Sequence, residues 1–579
     1  MARSHAFSQH ARHSSSAPTK NWDAAFEQLA DRYFDQVYFK FAPTQGTLDG
    51  LHQYDAHLED YSRAEFDRKI AALAGFEKKF TAIRLETLSQ TCQSDRELVL
   101  GNIRSTLLTL QTIRPWETNP DTYSSGITAS AFSLMERTFA SPDDRLRSLI
   151  ARERQMPAAL AEARRNLKNP PRIYTEIALE QLPGLIDFFQ SDVPKAFLHA
   201  NDPQLRADFV KTNAEVIAAL KDYRSWVEND LLPRSHGDFR LGAATYSKKL
   251  LYDEMVDTPL PNLLEIAYAD LRKNQAEFQR IAQQADPGKQ PHQVLQELQQ
   301  DHPAPEQLLQ SFRDTFSGLI QFIESRRIVE IPSQVRPTVE ETPPFMRATT
   351  VASMDTPGPY EQTATEAYFN VTVPGPHDTP EEIAGRMAEF NRGTIISTSI
   401  HEAYPGHYIQ FLWLRQAPTR IRKLLGAASN AEGWAHYCEE MMLEEGYGRE
   451  GTGARDARDS KMIHLGQLQD ALLRNARFVV GIQMHTGTMT FDEAVQFFVR
   501  EGYQSHESAL MEVKRGTSDP TYLYYTLGKL QILKLRADLQ NKEGANFSLE
   551  RFHGEFLKQG YPPIKIVRRA LLGNDSPTL

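Results

Sequence analysis

The sequence predicts a mainly α protein with one small β-ribbon, and three observations carry that prediction. Apolar residues recur three and four apart over long stretches, short Pro, Gly, Asn and Asp clusters punctuate them, and one segment rich in Val, Thr and Pro breaks the pattern. Residues 21–42, NWDAAFEQLADRYFDQVYFKFA, set the helical spacing. It recurs at 63–83, 93–114, 142–168, 203–230, 260–285 and 306–326, with stops such as NPPR at 169 and ADPGKQP at 285. Residues 328–375 form the exception, with strand-like runs near 347–352 and 366–373. Helical spacing resumes near 380 and continues to the end. There is no internal repeat of fixed period. The chain therefore divides into a polar, Ser- and His-rich tail over 1–20, expected to be disordered, a helical lobe over 21–327, and one integrated unit over 328–579.

The 579 residues carry a formal charge of −10, with acidic and basic residues well mixed. That balance argues against a nucleic-acid partner, which would demand a basic surplus or stripe. Cys92 and Cys438 are the only cysteines, so no disulfide framework exists, and both are expected as free, buried packing residues. No run of about 18 apolar residues is present, so no membrane span is expected. The first residues lack the apolar core of an intact signal peptide. The expectation is a soluble chain, either cytoplasmic or secreted to the periplasm after removal of a signal peptide. No oligomeric state follows from the sequence.

Residues 395–410 read IISTSIHEAYPGHYIQ. His401-Glu402 followed by His407 is the zinc-protease pattern HExxH with two residues added. In a regular helix, histidines at i and i+4 share a face and one ion, with the Glu at i+1 as general base. At i+6 the second histidine is rotated by roughly 120° around the helix. Pro405 would clash with the carbonyl of His401, and Gly406 tolerates positive φ. Together they would open one widened turn and re-aim His407. The stretch alone equally fits an ordinary helix stop flanked by two histidines.

The segment 430–445, NAEGWAHYCEEMMLEE, tilts that balance. It reads as a second helix with Glu432 near its start, 25 residues beyond His407. That gap suits a helix, a loop and a return helix carrying a third ligand. Glu432 sits among Ala, Gly and Trp434, where a lone carboxylate is costly unless paired or metal-bound. Glu439, Glu440, Glu444 and Glu445 read as a solvated acidic face. His436, at i+4 from Glu432, is expected to contact substrate or orient Glu432 rather than to be a ligand. Further on, MEVKRGTSDPTYLYYTLGKLQILKLR at 511–536 offers Arg515 and tyrosines 522, 524 and 525. A metal hydrolase needs a donor for its oxyanion, and a Tyr hydroxyl can serve while neutral. Arg515 could hold a substrate carboxylate. Arg477 and His485 are weaker substrate-binding candidates.

These blocks carry a resemblance to a known family. His401-Glu402-Ala403-Tyr404-Pro405-Gly406-His407-Tyr408-Ile409-Gln410 resembles the HExYPGHxxQ hallmark of the DUF885 proteins. Glu432-Gly433-Trp434-Ala435-His436-Tyr437-Cys438-Glu439 resembles their EGWAxYxE block. Arg515, Pro520, Tyr525 and Gly528 match a third. The likeness runs from about residue 22 and includes APTQGTLDG near the front. It implies a large helical metallopeptidase-like fold, as in the thimet-oligopeptidase and carboxypeptidase Taq groups, with two lobes around a deep channel. It also implies one zinc ion on His401, His407 and Glu432, with Glu402 as base.

The expected function is zinc-dependent hydrolysis of peptide bonds. Glu402 would be general base, Tyr525 or a neighbour the oxyanion donor, and the strand at 366–373 an edge for an extended peptide. Two rivals are kept: a hydrolase of a small non-peptide amide or N-acyl amino acid, and a non-catalytic peptide-binding protein. The intact Glu402 argues against the second.

Overall fold

The computed structural model describes residues 22–343, 346–347, 350–375 and 378–579. The expected disordered tail over 1–20 lies outside them. Every helical stretch read from the sequence forms a helix, with 142–168 broken in two at Arg154-Gln155. Starts are fixed by side-chain caps where the sequence offers them. Ser62, Ser89, Ser141 and Asp202 each accept a backbone N–H of the turn that follows, satisfying donors that the helix leaves free. The protein is mainly α, with a small strand element.

The helices that position the site are α1 (Asp121–Met135), α2 (Arg172–Asp187), α3 (Leu260–Ala285), α4 (Arg392–Glu402), α5 (His407–Leu414), α6 (Ala428–Glu444), α7 (Ala457–His485), α8 (His506–Ser518) and α9 (Tyr524–Glu543). One apolar core lies wholly within residues 58–231 and includes Ile127 of α1 and Leu182 and Leu185 of α2. A second gathers α4, α5, α6, α9 and the sheet around Trp434, Tyr437 and Phe369.

The packing does not divide at 327/328. Leu263 and Ala267 of α3 pack against Phe478 and Ile482 of α7, and Phe312 of the helix Leu308–Arg326 packs on Phe369. Ile421 and Leu424 join the core of the first helices. The composition shift at 328 marks the start of the β segment, and an amphipathic helix packs on whichever apolar surface tertiary folding brings to it.

The ribbon is a three-stranded sheet of β1 (Thr338–Glu341), β2 (Ala352–Asp355) and β3 (Tyr368–Val371), in the order β1-β3-β2. β3 runs parallel to β1 and antiparallel to β2. The strand expected near 366–373 is therefore central, with both of its edges paired. Its burial explains this: Phe369, Asn370 and Val371 are buried in succession, as in an interior strand, not alternately. The run expected at 347–352 falls partly on residues 348–349, outside the described residues; the strand there is Ala352–Asp355. Both cysteines are free and buried. No helix among the described residues is long and apolar enough to cross a membrane.

Candidate metal centre

Asn391 caps α4 by accepting from the N–H groups of Gly393 and Thr394, and α4 runs to Glu402. The helix then stops. The N–H groups of Ala403 and Tyr404 both donate to the Ser399 carbonyl, at 3.0 and 3.1 Å, and that of Gly406 donates to Ile400 at 2.9 Å. A new helix, α5, begins at His407. The link is thus a stop and restart, not a widened turn in one helix, and its Tyr404–Pro405 bond is cis. Gly406 has φ of −67°, so it is not needed for a left-handed backbone. It is needed for space: a Cβ there would lie 1.7 Å from the His401 carbonyl oxygen. Only glycine lets the second helix start against the end of the first.

The restart sets the His401 and His407 rings 4.8 Å apart and nearly perpendicular. Glu432 comes from α6, whose first turn has no side-chain cap of its own. Glu254, buried and raised to about 7 by that burial, accepts from the Ser429 N–H at 3.0 Å and fixes that end of the helix. α6 is pressed onto α9 where Gly433 meets Gly528; a Cβ on either would lie within 3 Å of the opposing backbone. Glu432 Oε2 lies 3.3 Å from His401 Nε2 and 3.2 Å from His407 Nε2. One donor atom from each of the three residues falls within 4.8 Å of the others. Two imidazole nitrogens and a carboxylate oxygen are donor chemistry that suits zinc with an open position. In the metal-free protein, burial opposes charge on the carboxylate, but the two histidines outweigh it and hold Glu432 well below the ordinary range.

Glu439 does not lie on a solvated face. It is fully buried, taking His401 Nδ1 on Oε1 at 2.7 Å, His436 Nδ1 on Oε2 at 3.2 Å and Arg474 Nη2 on Oε1 at 3.1 Å. Burial and Arg474 push the His401 imidazole down; Glu432 and Glu439 outweigh them and raise it to about 9. A carboxylate on Nδ1 directs the Nε2 lone pair toward an ion and orients the ring. The signal for Glu439 was its place seven residues after Glu432, two turns along the same face. Glu440 is also paired, 3.0 Å from the buried Lys529 ammonium. Glu444 and Glu445, beside Arg536, are solvated as expected.

The other expected residues separate into two groups. Glu402, Arg477, Arg515 and Tyr525 line the same cavity as the three candidate ligands, a space of about 630 Å³ between α1 and α2 on one side and the C-terminal helices and β2 on the other. Glu402 Oε2 is buried without a hydrogen-bond partner, and burial raises its carboxyl above the ordinary value. The Tyr525 ring stacks at 6.2 Å on that of His401, and its oxygen accepts from Arg515 Nη2 at 3.1 Å. Arg477 lies 4.8 Å from the Tyr525 ring and grips Glu512 with two bonds of 2.6 and 2.7 Å.

His436, His485 and Tyr524 do not line that cavity. His436 is fully buried and pairs with Glu439, one turn further along α6, not with Glu432. The Nε2–H of His485 donates to the Gly516 carbonyl at 2.7 Å, inside the core. Tyr524 donates to Asp519 Oδ2 at 2.7 Å and lines a separate cavity. Adjacent helix residues diverge by roughly 100°, so Tyr524 and Tyr525 cannot share a face.

Comparison with known proteins adds the following. Residues 43–571 match the family described as "Bacterial protein of unknown function (DUF885)". The chain is similar to a solved candidate lipoprotein of unknown function from Shewanella oneidensis, with 25% identity and a TM-score of 0.75, over 94% of this chain and 99% of that one. It shares its fold with a candidate lipoprotein from Colwellia psychrerythraea, with 18% identity and a TM-score of 0.77, over 94% and 98% of the two chains. No curated protein matches.

Proposed function

The chain belongs to the DUF885 family, and we propose that it is a zinc-dependent hydrolase of peptide bonds acting on short peptides. The observation that carries this reading is the convergence of His401 Nε2 and His407 Nε2 on Glu432 Oε2 in a cavity that the Glu402 carboxylate also lines. Held by His401, His407 and Glu432, Zn²⁺ would supply polarisation of a carbonyl and acidification of water.

The protein's own groups do the rest. Glu402 takes a proton from water on its unpartnered Oε2 and returns it to the leaving amine. Its raised carboxyl makes it a stronger base than an exposed Glu. Tyr525 donates its hydroxyl proton to the oxygen on which charge develops. Arg515 already occupies a lone pair of that hydroxyl, which leaves the proton free to point elsewhere. Glu439 holds the His401 ring in place. Among the described residues β2 is paired to β3 on one side only, and Ala352, Ser353 and Met354 line the cavity. Its open edge, not β3, is where an extended peptide would pair by main-chain hydrogen bonds.

The test is a mass-spectrometric screen of a peptide library with and without chelator, alongside elemental analysis. Stoichiometric zinc, lost in His401→Ala, and chelator-sensitive cleavage are expected. Hydrolysis that survives chelation would sink the mechanism, and unchanged zinc in His401→Ala would sink the site.

A further inference from the structure

Three guanidinium groups surround the Tyr525 ring, and they are not equivalent. Arg474 gives Nη2 to Glu439 and Nη1 to the Asp470 carbonyl, at 3.1 and 3.0 Å, and keeps one unpartnered donor, a buried Nε. Arg477 is committed to Glu512 through both Nε and Nη2. Arg515 uses Nη2 alone, for Tyr525 and, at 3.3 Å, for Asp519. Its Nε and Nη1 make no hydrogen bond among the described residues. Its side chain is 25% exposed and lines the cavity. Asp519 is shared with the Tyr524 hydroxyl and lines a different cavity, of about 340 Å³. Arg515 therefore presents positive charge and unused donors to the main cavity, with its carboxylate partner behind it.

We propose that Arg515 is the subsite for the free C-terminal carboxylate of a peptide, so that the reaction releases single C-terminal residues. This rests on the hydrolase reading above. A guanidinium holds a carboxylate by charge-assisted hydrogen bonds. The terminal carboxylate lies one residue, about 3.5 Å of chain, beyond the last amide carbon. Arg515 Nη2 donates to the Tyr525 oxygen at 3.1 Å, so the two groups are direct neighbours: a chain end held on the free Nε and Nη1 brings its last amide beside the Tyr525 hydroxyl. Water adds its oxygen to the last amide carbon, the C–N bond breaks, and the proton taken by Glu402 passes to the departing amine. The products are a free amino acid and a peptide one residue shorter. A C-terminal amide would lack the charge and set N–H donors against the donors of Arg515.

The experiment uses the zinc-loaded Glu402→Gln protein, whose turnover is strongly slowed, titrated calorimetrically with N-acetyl-trialanine and its C-terminal carboxamide. The acid is expected to bind about 10- to 100-fold more tightly, as for a hydrogen bond to a charged group. Adding Arg515→Met removes that preference, while Arg515→Lys keeps part of it. Equal affinity for acid and amide, or a preference that survives Arg515→Met, overturns the proposal. In the wild type, a free-acid decapeptide is expected to shorten one residue at a time from its C-terminus; internal cleavage at equal rates for acid and amide overturns it as well. A wild type that prefers the acid yet cleaves nothing overturns the hydrolase reading and leaves the carboxylate subsite standing.

Discussion

His401 and His407 sit among the same C-terminal helices as His485 and His553, and all four are buried. The second pair ends on neutral partners. His485 meets the Gly516 carbonyl, and His553 spans the Ile328 carbonyl and the Tyr437 hydroxyl, at 2.8 and 2.9 Å. The first pair points its Nε2 atoms at one carboxylate in a cavity, and Glu439 waits behind His401. Burial alone does not separate a structural histidine from a functional one. The partners do: carbonyls and hydroxyls complete a neutral ring, whereas converging nitrogens and carboxylates leave a place for a cation.

Substitutions can break that contrast. The largest loss is expected for Glu402→Gln, with kcat/KM down about 10²- to 10⁴-fold and zinc content unchanged. Retained activity would show that the unpartnered carboxylate is not the base. Tyr525→Phe should lower kcat about 10²- to 10³-fold, the scale of losing one oxyanion donor. A change confined to KM would assign the hydroxyl to binding instead. Glu439→Gln should weaken zinc affinity about 10- to 100-fold, read by competition with a chromogenic chelator. Unchanged affinity would make Glu439 a partner of Arg474 only.

The smallest effect belongs to the neutral pair. Burial lowers the His553 pKa from 6.5 to about 3, with Arg536 adding to it and the Ile328 carbonyl opposing. The unfolded chain therefore binds a proton near pH 6.5 that the folded chain refuses until about pH 3. Stability from this group is complete above 6.5 and is lost as pH falls toward 3. His553→Gln should flatten the acid side of a plot of urea midpoint against pH, with zinc content unaffected. An unaltered acid slope would mean other groups set it.

Much of the frame was legible in the sequence. Period and punctuation placed the helices, because an amphipathic face repeats every 3.6 residues whatever it packs against. HEAYPGH and EGW marked the residues that the structure brings together. Other features were not legible. Glu439 reads with its neighbours Glu440, Glu444 and Glu445 as a solvated face; its one distinguishing mark, a place two turns after Glu432, shows a shared face but not which groups pack opposite. The strand at 366–373 looked like an edge, because alternation is weak in four residues and strand order is a long-range property.

By itself, then, the sequence determined which donors exist, which helices carry them, and that Pro405-Gly406 must interrupt regular helix, whether by a widened turn or by a stop. Tertiary structure decided the rest. It turned the need for Gly406 from one of φ into one of space, set Glu439 behind His401, moved the open strand edge to β2, and left Arg515 facing the cavity with donors to spare. The reason is physical. Local periodicity states which residues share a face, but the energy of a buried charge or an unused donor depends on the groups opposite, and those arrive from far along the chain.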